Sequence, residues 1–243
     1  MKLDWIAPHW DAPAGVAALA STRAGGVSVG PYAGLNLAAH VGDAPLAVVA
    51  NRRLIAADLP GEPLWLNQVH GTGVAVAEEA PAGVTADACV ARTPDRVLGV
   101  LHADCLPVLL CADDASVVAV AHAGWRGLAA GVLEQTVAAM AVPGARLRAW
   151  LGVAISQGAY EVGPEVRAAF VERDPDAAGA FTPGAAGRWQ CDLHGLARLR
   201  LARCGLTRVF GGGLCSYADA QRFYSYRRDG STGRMATLIW LQA

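Results

Sequence analysis

The stretch VLGVLHADCLPVLLCADDASVVAVAHAGWRG, residues 97–127, decides how the rest of the chain is read. Val97–His102, Pro107–Cys111 and Ser116–Ala121 are nearly continuous apolar runs, each about the length of a strand. A strand with one wet face alternates, so a run that is apolar throughout indicates a strand covered on both sides. After the third run the glycines of AHAGWRG lead into Leu128–Met140. There Leu128, Val132, Leu133, Val137 and Met140 recur at helical spacing. Ser116–Met140 is therefore expected to form strand, glycine loop and helix, with two covered strands before it.

Working outward, Leu64–Val69, Gly73–Ala77, Ala88–Ala91, Leu147–Val153 and Thr237–Leu241 carry strand-like patterns. Helical spacing predicts Pro45–Leu59, with Asp43 as its cap, Pro164–Glu172, and Asp192–Arg203 ending near Gly205. Arg23–Asp43 reads as an irregular glycine-rich loop with Arg23, Asn36, His40 and Asp43 as its marked polar residues, and Asp174–Arg188 as an exposed loop. Strands and helices mix without strict alternation. The expected class is α+β: a single domain over residues 1–243 with mixed β-sheets covered by helices, rather than a doubly wound sheet.

Composition excludes several functions. The chain has 243 residues, 53% hydrophobic and 17% charged, with a formal net charge of −1. A chain this long buries roughly 70–75% of its unfolded surface and needs no disulfide staples. No basic run supplies the footprint of a nucleic-acid binder. No apolar run reaches the ~18–20 residues of a membrane span. The start, MKLDWIAPHWDAPAG, lacks the apolar core of a signal peptide, so a cytoplasmic location is expected. The six cysteines (89, 105, 111, 191, 204 and 215) should then be reduced thiols, and no CxxC pair occurs among them. Nineteen of the 20 basic residues are arginines, which leaves Lys2 as the sole lysine and little scope for Schiff-base chemistry.

Three positions could do chemistry together. His70 ends NQVH before Gly71, Cys105 interrupts HADCLP, and His122 follows VVAVA. Two imidazoles and a thiolate suit Zn²⁺ with a fourth position open, where bound water can acquire a pKa of about 7. The plain alternative is a buried cysteine acting as a small hydrophobe and ordinary core histidines, since the local pairing of an HExxH motif is missing. Copper is the competing metal. However, no methionine beyond Met1, Met140 and Met235 is available, and six histidines (9, 40, 70, 102, 122 and 194) fall short of a blue site plus a trinuclear cluster. Cys105 with His122 and Asp104 or Asp87 also makes a metal-free nucleophile. Arg126, between Gly124 and Gly127, could hold an anion where strand meets helix, although a tight turn explains the glycines equally. Arg227, Arg228 and Arg234 surround a DG turn and read either as phosphate ligands or as a solvated turn.

Taken in order, TRAGGVS, LNLAAHVGD, NQVHG, ADACV, HADCLPVLL, AHAGWRGLAAGVLE, AYEVG and FYSYRRDGSTGRMATLIWL run from Thr22 to Leu241. With these motifs the chain closely resembles the YfiH-like family, also called laccase-domain or purine nucleoside phosphorylase proteins. The resemblance implies a YfiH-like (cytotoxic necrotizing factor-like) α+β fold and zinc held by His70, Cys105 and His122. It implies small-molecule partners, purine nucleosides and phosphate. The implied reactions are phosphorolysis of adenosine, inosine, guanosine and methylthioadenosine to base and sugar 1-phosphate, and deamination of adenosine to inosine. A copper-dependent polyphenol oxidase and a hydrolase of peptidoglycan precursors are the alternatives. On this reading Arg23 and Arg126 contact an anion, Asn36 and Arg227 contact substrate or phosphate, and Asp87 and Asp104 orient ligands or move protons. The chain lacks the HxE and PCxxC motifs of other zinc deaminases, so deamination would use a different scaffold. It also departs from the family at His102, where relatives carry Thr, and at Gly158 and Ala159, where many carry Cys. His102 is expected to be a fourth ligand, a supporting donor or a simple substitution, and strand alternation argues against ligation. Composition leaves the oligomeric state open.

Overall fold

The computed structural model describes residues 3–243. The apolar runs of the central segment part company at Asp104, whose backbone is left-handed (φ 89°). Leu98–His102 enters a five-stranded sheet in the order Trp5–Ile6, Val16–Ser21, Met235–Leu241, Leu98–His102, Leu64–Trp65. Leu106–Ala112 and Val118–Ala123 form an antiparallel hairpin at the centre of a six-stranded sheet. That sheet runs Arg208–Gly211, Leu147–Leu151, Leu106–Ala112, Val118–Ala123, Ala88–Ala91, Val74–Val76. Both sheets are mixed, with parallel pairs only at their edges.

Strand alternation explains why these runs are apolar throughout. Leu109, Cys111, Val118 and Val120 face the five-stranded sheet and meet Leu98, Val100 and Ile239. Their neighbours Val108, Leu110, Ala119 and Ala121 face the opposite way, onto Leu128, Leu133, Val137 and Leu196. The outer face of the five-stranded sheet presents Leu101, Leu238 and Trp240 to Leu35, Leu37 and Ile55. The result is a helix–sheet–sheet–helix stack of the α+β class, and every strand of its centre is buried on both sides.

Several elements differ from the sequence reading. The helix expected over Leu128–Met140 is two helices, Trp125–Ala130 and Val132–Met140, broken at Gly131 with φ 108°, although Leu128, Val132, Leu133, Val137 and Met140 are all buried as their spacing requires. The helix Pro45–Ala56 has Ala44 as its N-cap, because the Asp43 carboxylate is tied to Ser28 Oγ (2.6 Å) and Asn36 Nδ2 (2.9 Å). Asp174–Arg188 is not simply an exposed loop: it holds the short helix Pro175–Ala180 and the strand Phe181–Pro183, and it buries Ala177 and Phe181. The latter strand joins Trp189–Cys191 and Glu161–Val162 in a small third sheet. Leu64–Val69 is strand only at Leu64–Trp65, because Gln68 takes over the pairing with its side chain, donating to Leu101 O and accepting from Leu101 N, both at 2.8 Å. Among the described residues no helix is long and apolar enough to cross a membrane.

Candidate metal centre and cleft

Asp87 organises the centre. It precedes the Ala88–Ala91 strand and is fully buried, with both carboxylate oxygens doubly used. Oδ1 accepts His122 Nδ1–H at 2.9 Å and the His70 backbone N–H at 2.9 Å. Oδ2 accepts the Gly71 N–H at 2.7 Å and the Val69 N–H at 3.1 Å. A carboxylate can be buried when it is so fully hydrogen-bonded. Burial pushes its pKa up, but the His122 ring and the backbone donors outweigh burial and hold it below the usual carboxylate range. This clamp also accounts for the left-handed His70 (φ 58°), since three successive N–H groups must converge on one carboxylate.

His122 lies near the end of the Val118–Ala123 strand, and Cys105 immediately precedes the facing strand of the same hairpin, whose register pairs Leu106 with Ala123. The donor atoms of His70, Cys105 and His122 lie within 4.8 Å of one another. The two imidazoles meet edge to face, with centroids 4.8 Å apart. With Nδ1 bound to Asp87, His122 has Nε2 free to act as a ligand. Burial raises the Cys105 pKa, yet the His122 and His70 rings bring it down to about 6. For His122 burial lowers the pKa, and Cys105 with Asp87 raises it to about 9. A polarised thiolate, a second imidazole and a carboxylate behind one ring fit a borderline-soft divalent cation with three protein ligands. Among the described residues this is the sole cluster of three or more such donors.

The centre opens into a cleft of about 500 Å³, within the usual size range of small-molecule sites. His102 and Asp104 line its floor; Arg126, Arg227 and Arg234 line its walls. Each arginine rests on an aromatic ring of the same cleft: Arg126 on Trp125 (4.5 Å), Arg227 on Tyr160 (5.1 Å) and Arg234 on Tyr226 (5.7 Å). Such stacking fixes a guanidinium while leaving its N–H edges for an anion.

The structure sorts the remaining candidates. Asp104 is in the cleft, but its oxygens accept from Ser216 Oγ (2.6 Å) and Arg227 N (2.7 Å), so it ties the Tyr226–Asp229 turn to the floor. Arg23 is not brought to the cleft: its nitrogens donate to Ala220 O and Ala33 O, and it lies over Tyr224. Asn36 is not brought there either, being buried with its amide bonded to Ala38, Asp43 and Arg234 N. His102 is outside the donor cluster; its Nε2 lies 2.9 Å from Thr237 Oγ1, and its Nδ1 has no partner among the described residues. Arg228 is no solvated residue, since it donates to the carbonyls of Ser216, Tyr217 and Phe223. Of the three arginines around the DG turn, Arg227 and Arg234 line the cleft and Arg228 does not. Trp125, Tyr160 and Tyr226 are cleft residues that the sequence reading did not single out, because no local spacing marks an aromatic as cleft-lining. All six cysteines are free thiols.

An α+β fold of two stacked sheets and a small third one, with a His–Cys–His donor set in an arginine-lined cleft, has the build of a small-molecule site. The chain belongs to the YfiH-like family: the family model described as multi-copper polyphenol oxidoreductase laccase matches residues 17–242. A Pseudomonas aeruginosa protein named purine nucleoside phosphorylase is 52% identical over 240 residues, covering 98% of each chain. The Escherichia coli purine nucleoside phosphorylase YfiH is 52% identical over 239 residues, covering 97% of this chain and 98% of that one. A Neisseria meningitidis crystal structure aligns with a TM-score of 0.95 at 50% identity, covering 98% of this chain and 99% of that one. YlmD of Geobacillus stearothermophilus aligns with a TM-score of 0.87 at 29% identity, covering 95% and 93%.

Proposed function

We propose that the protein is a zinc-dependent purine nucleoside phosphorylase. The observation that carries this reading is the joining of one three-donor centre to a cleft whose arginines are stacked on aromatic rings. Anion and planar base can then be held side by side. The names of the relatives supply the substrate class. In phosphorolysis an oxygen of hydrogen phosphate forms a bond to C1′ of the sugar as the bond from C1′ to the purine N9 breaks. The base leaves with the bonding pair, and the proton lost by hydrogen phosphate ends on it. Arg126 is exposed and Arg227 keeps all but one of its N–H groups from protein carbonyls, so these two orient the phosphate. Trp125 and Tyr226 offer faces to the base. Asp104 fixes the turn that carries Tyr226 and Arg227, and Asp87 orients His122 and the His70 turn. His70, Cys105 and His122 would hold the zinc ion, whose contribution when bound is Lewis-acid polarisation of a substrate atom.

Adenosine deamination is the second activity of the same cleft, exchanging the C6 amine for a water oxygen with release of ammonia. Chromatography of products from adenosine and inosine, with and without phosphate, tests both. Base released only with phosphate, and lost in Cys105→Ala, is the expected result. Inosine formed from adenosine without phosphate marks the deaminase. No product under either condition overturns the proposal. A single donor cluster among the described residues also favours a mononuclear zinc centre over a multicopper oxidase, and metal analysis after purification without added metal decides between them.

A further inference from the structure

We infer that Gly124 is a determinant of the metal centre, present for the space it leaves between two ligands rather than for backbone freedom. This inference rests on the zinc reading above. Gly124 is the N-cap of the Trp125–Ala130 helix, with φ −64° and ψ 157°. Any residue adopts that conformation, and Ser, Thr, Asp or Asn would additionally cap the helix. No side-chain cap is made here, so the glycine gives up a stabilising bond without a backbone reason.

The reason lies in front of its Cα. A methyl group there would stand 2.7 Å from His70 Nδ1 and 3.0 Å from Cys105 Sγ, pressed against two of the three donor residues at once. Cys105 has little room to retreat, because it directly precedes the central hairpin, next to fully buried Leu106. The His70 backbone is pinned by Asp87, but its side chain is exposed. The relief open to a larger residue is therefore rotation of the His70 imidazole away from Cys105. That rotation breaks the donor set and costs the metal-free fold little.

Gly127, one turn on, shows the same logic from the other side. Its φ is not positive, and a methyl group there would meet Gly71 O at 2.7 Å. The two glycines of AHAGWRG thus form the socket into which the His70–Gly71 turn fits. Neither makes the tight turn that glycine usually signals.

The test is Zn²⁺ titration of metal-free wild-type protein and Gly124→Ala against a chromogenic chelator, with thermal melts in EDTA and Co²⁺ absorption spectra alongside. The expected result is at least tenfold weaker Zn²⁺ binding by Gly124→Ala and loss of its cysteinate-to-Co²⁺ charge-transfer band, with a metal-free melting temperature lowered by only about 2–4 °C, the effect of alanine in place of glycine at an N-cap. Gly124→Ser, which restores a capping hydroxyl, is expected to bind equally poorly, because the added Cβ is the same. Zn²⁺ affinity and a Co²⁺ spectrum equal to wild type in a folded Gly124→Ala protein overturn the inference. Failure of the wild type itself to bind Zn²⁺ or Co²⁺ overturns the metal reading instead. If Gly124→Ala is unfolded in EDTA, the glycine is a packing requirement of the fold, and the inference also falls.

Discussion

Replacing Asp87 by asparagine removes a charge and almost no volume, so it isolates what the carboxylate does. Its four accepted bonds come from His122 Nδ1, His70 N, Gly71 N and Val69 N, all into a fully buried group. Asparagine has one oxygen and one NH₂, so in either orientation two of these four donors face another donor. Each orphaned buried donor costs about 1–3 kcal/mol, which makes roughly 2–6 kcal/mol for the pair. At about 2–4 °C per kcal/mol for a chain of this size, the metal-free protein should melt at least about 4 °C lower. The second effect is on the ligands: the His122 ring loses its charged partner, or the His70 turn loses its anchor. Loss of such a supporting group costs about 10–100-fold in metal affinity. Chelator competition and thermal denaturation on the same preparation read both numbers. Zinc affinity within twofold of wild type, with an unshifted melting temperature, would refute the claim that Asp87 organises the centre.

Four further outcomes are expected. His102, buried beside the cleft, has its pKa lowered to about 3 by burial, then by His122 and Arg234. The unfolded chain therefore binds the extra proton first, and stability present above pH 6.5 falls as the pH drops toward 3, by an order of 3 kcal/mol at pH 4; His102→Gln should flatten that slope in urea melts performed in EDTA. Cys105→Ser should lose stoichiometric zinc while keeping its far-UV circular dichroism, because a neutral hydroxyl is a poor zinc ligand. Arg126→Met should raise the KM for phosphate about 10–100-fold, the worth of one charge-assisted hydrogen bond, and leave the KM for nucleoside unchanged in steady-state kinetics. Gly131→Ala places a Cβ at φ 108° and should lower stability by roughly 1–2 kcal/mol in denaturant titration without altering zinc affinity.

What the sequence determined by itself is local or compositional. The strands Leu98–His102, Leu106–Ala112 and Val118–Ala123 were legible because five to seven residues apolar on both faces admit few other readings. The members of the donor cluster, His70, Cys105 and His122, were legible because histidine and cysteine beside turn residues are few in this chain. Strands of two to four residues, such as Trp5–Ile6 and Arg208–Gly211, are too short for a period to show, and hydrogen bonds from distant partners make them strands. Only the tertiary structure decided that Arg234 reaches the cleft whereas Arg23 supports a loop, since the two differ in where chain closure puts them and not in chemistry. It also decided what the glycines of AHAGWRG are for. A glycine serving φ and one serving space look alike in sequence. The difference is a neighbour, the His70–Gly71 turn, brought against them by a buried carboxylate at Asp87.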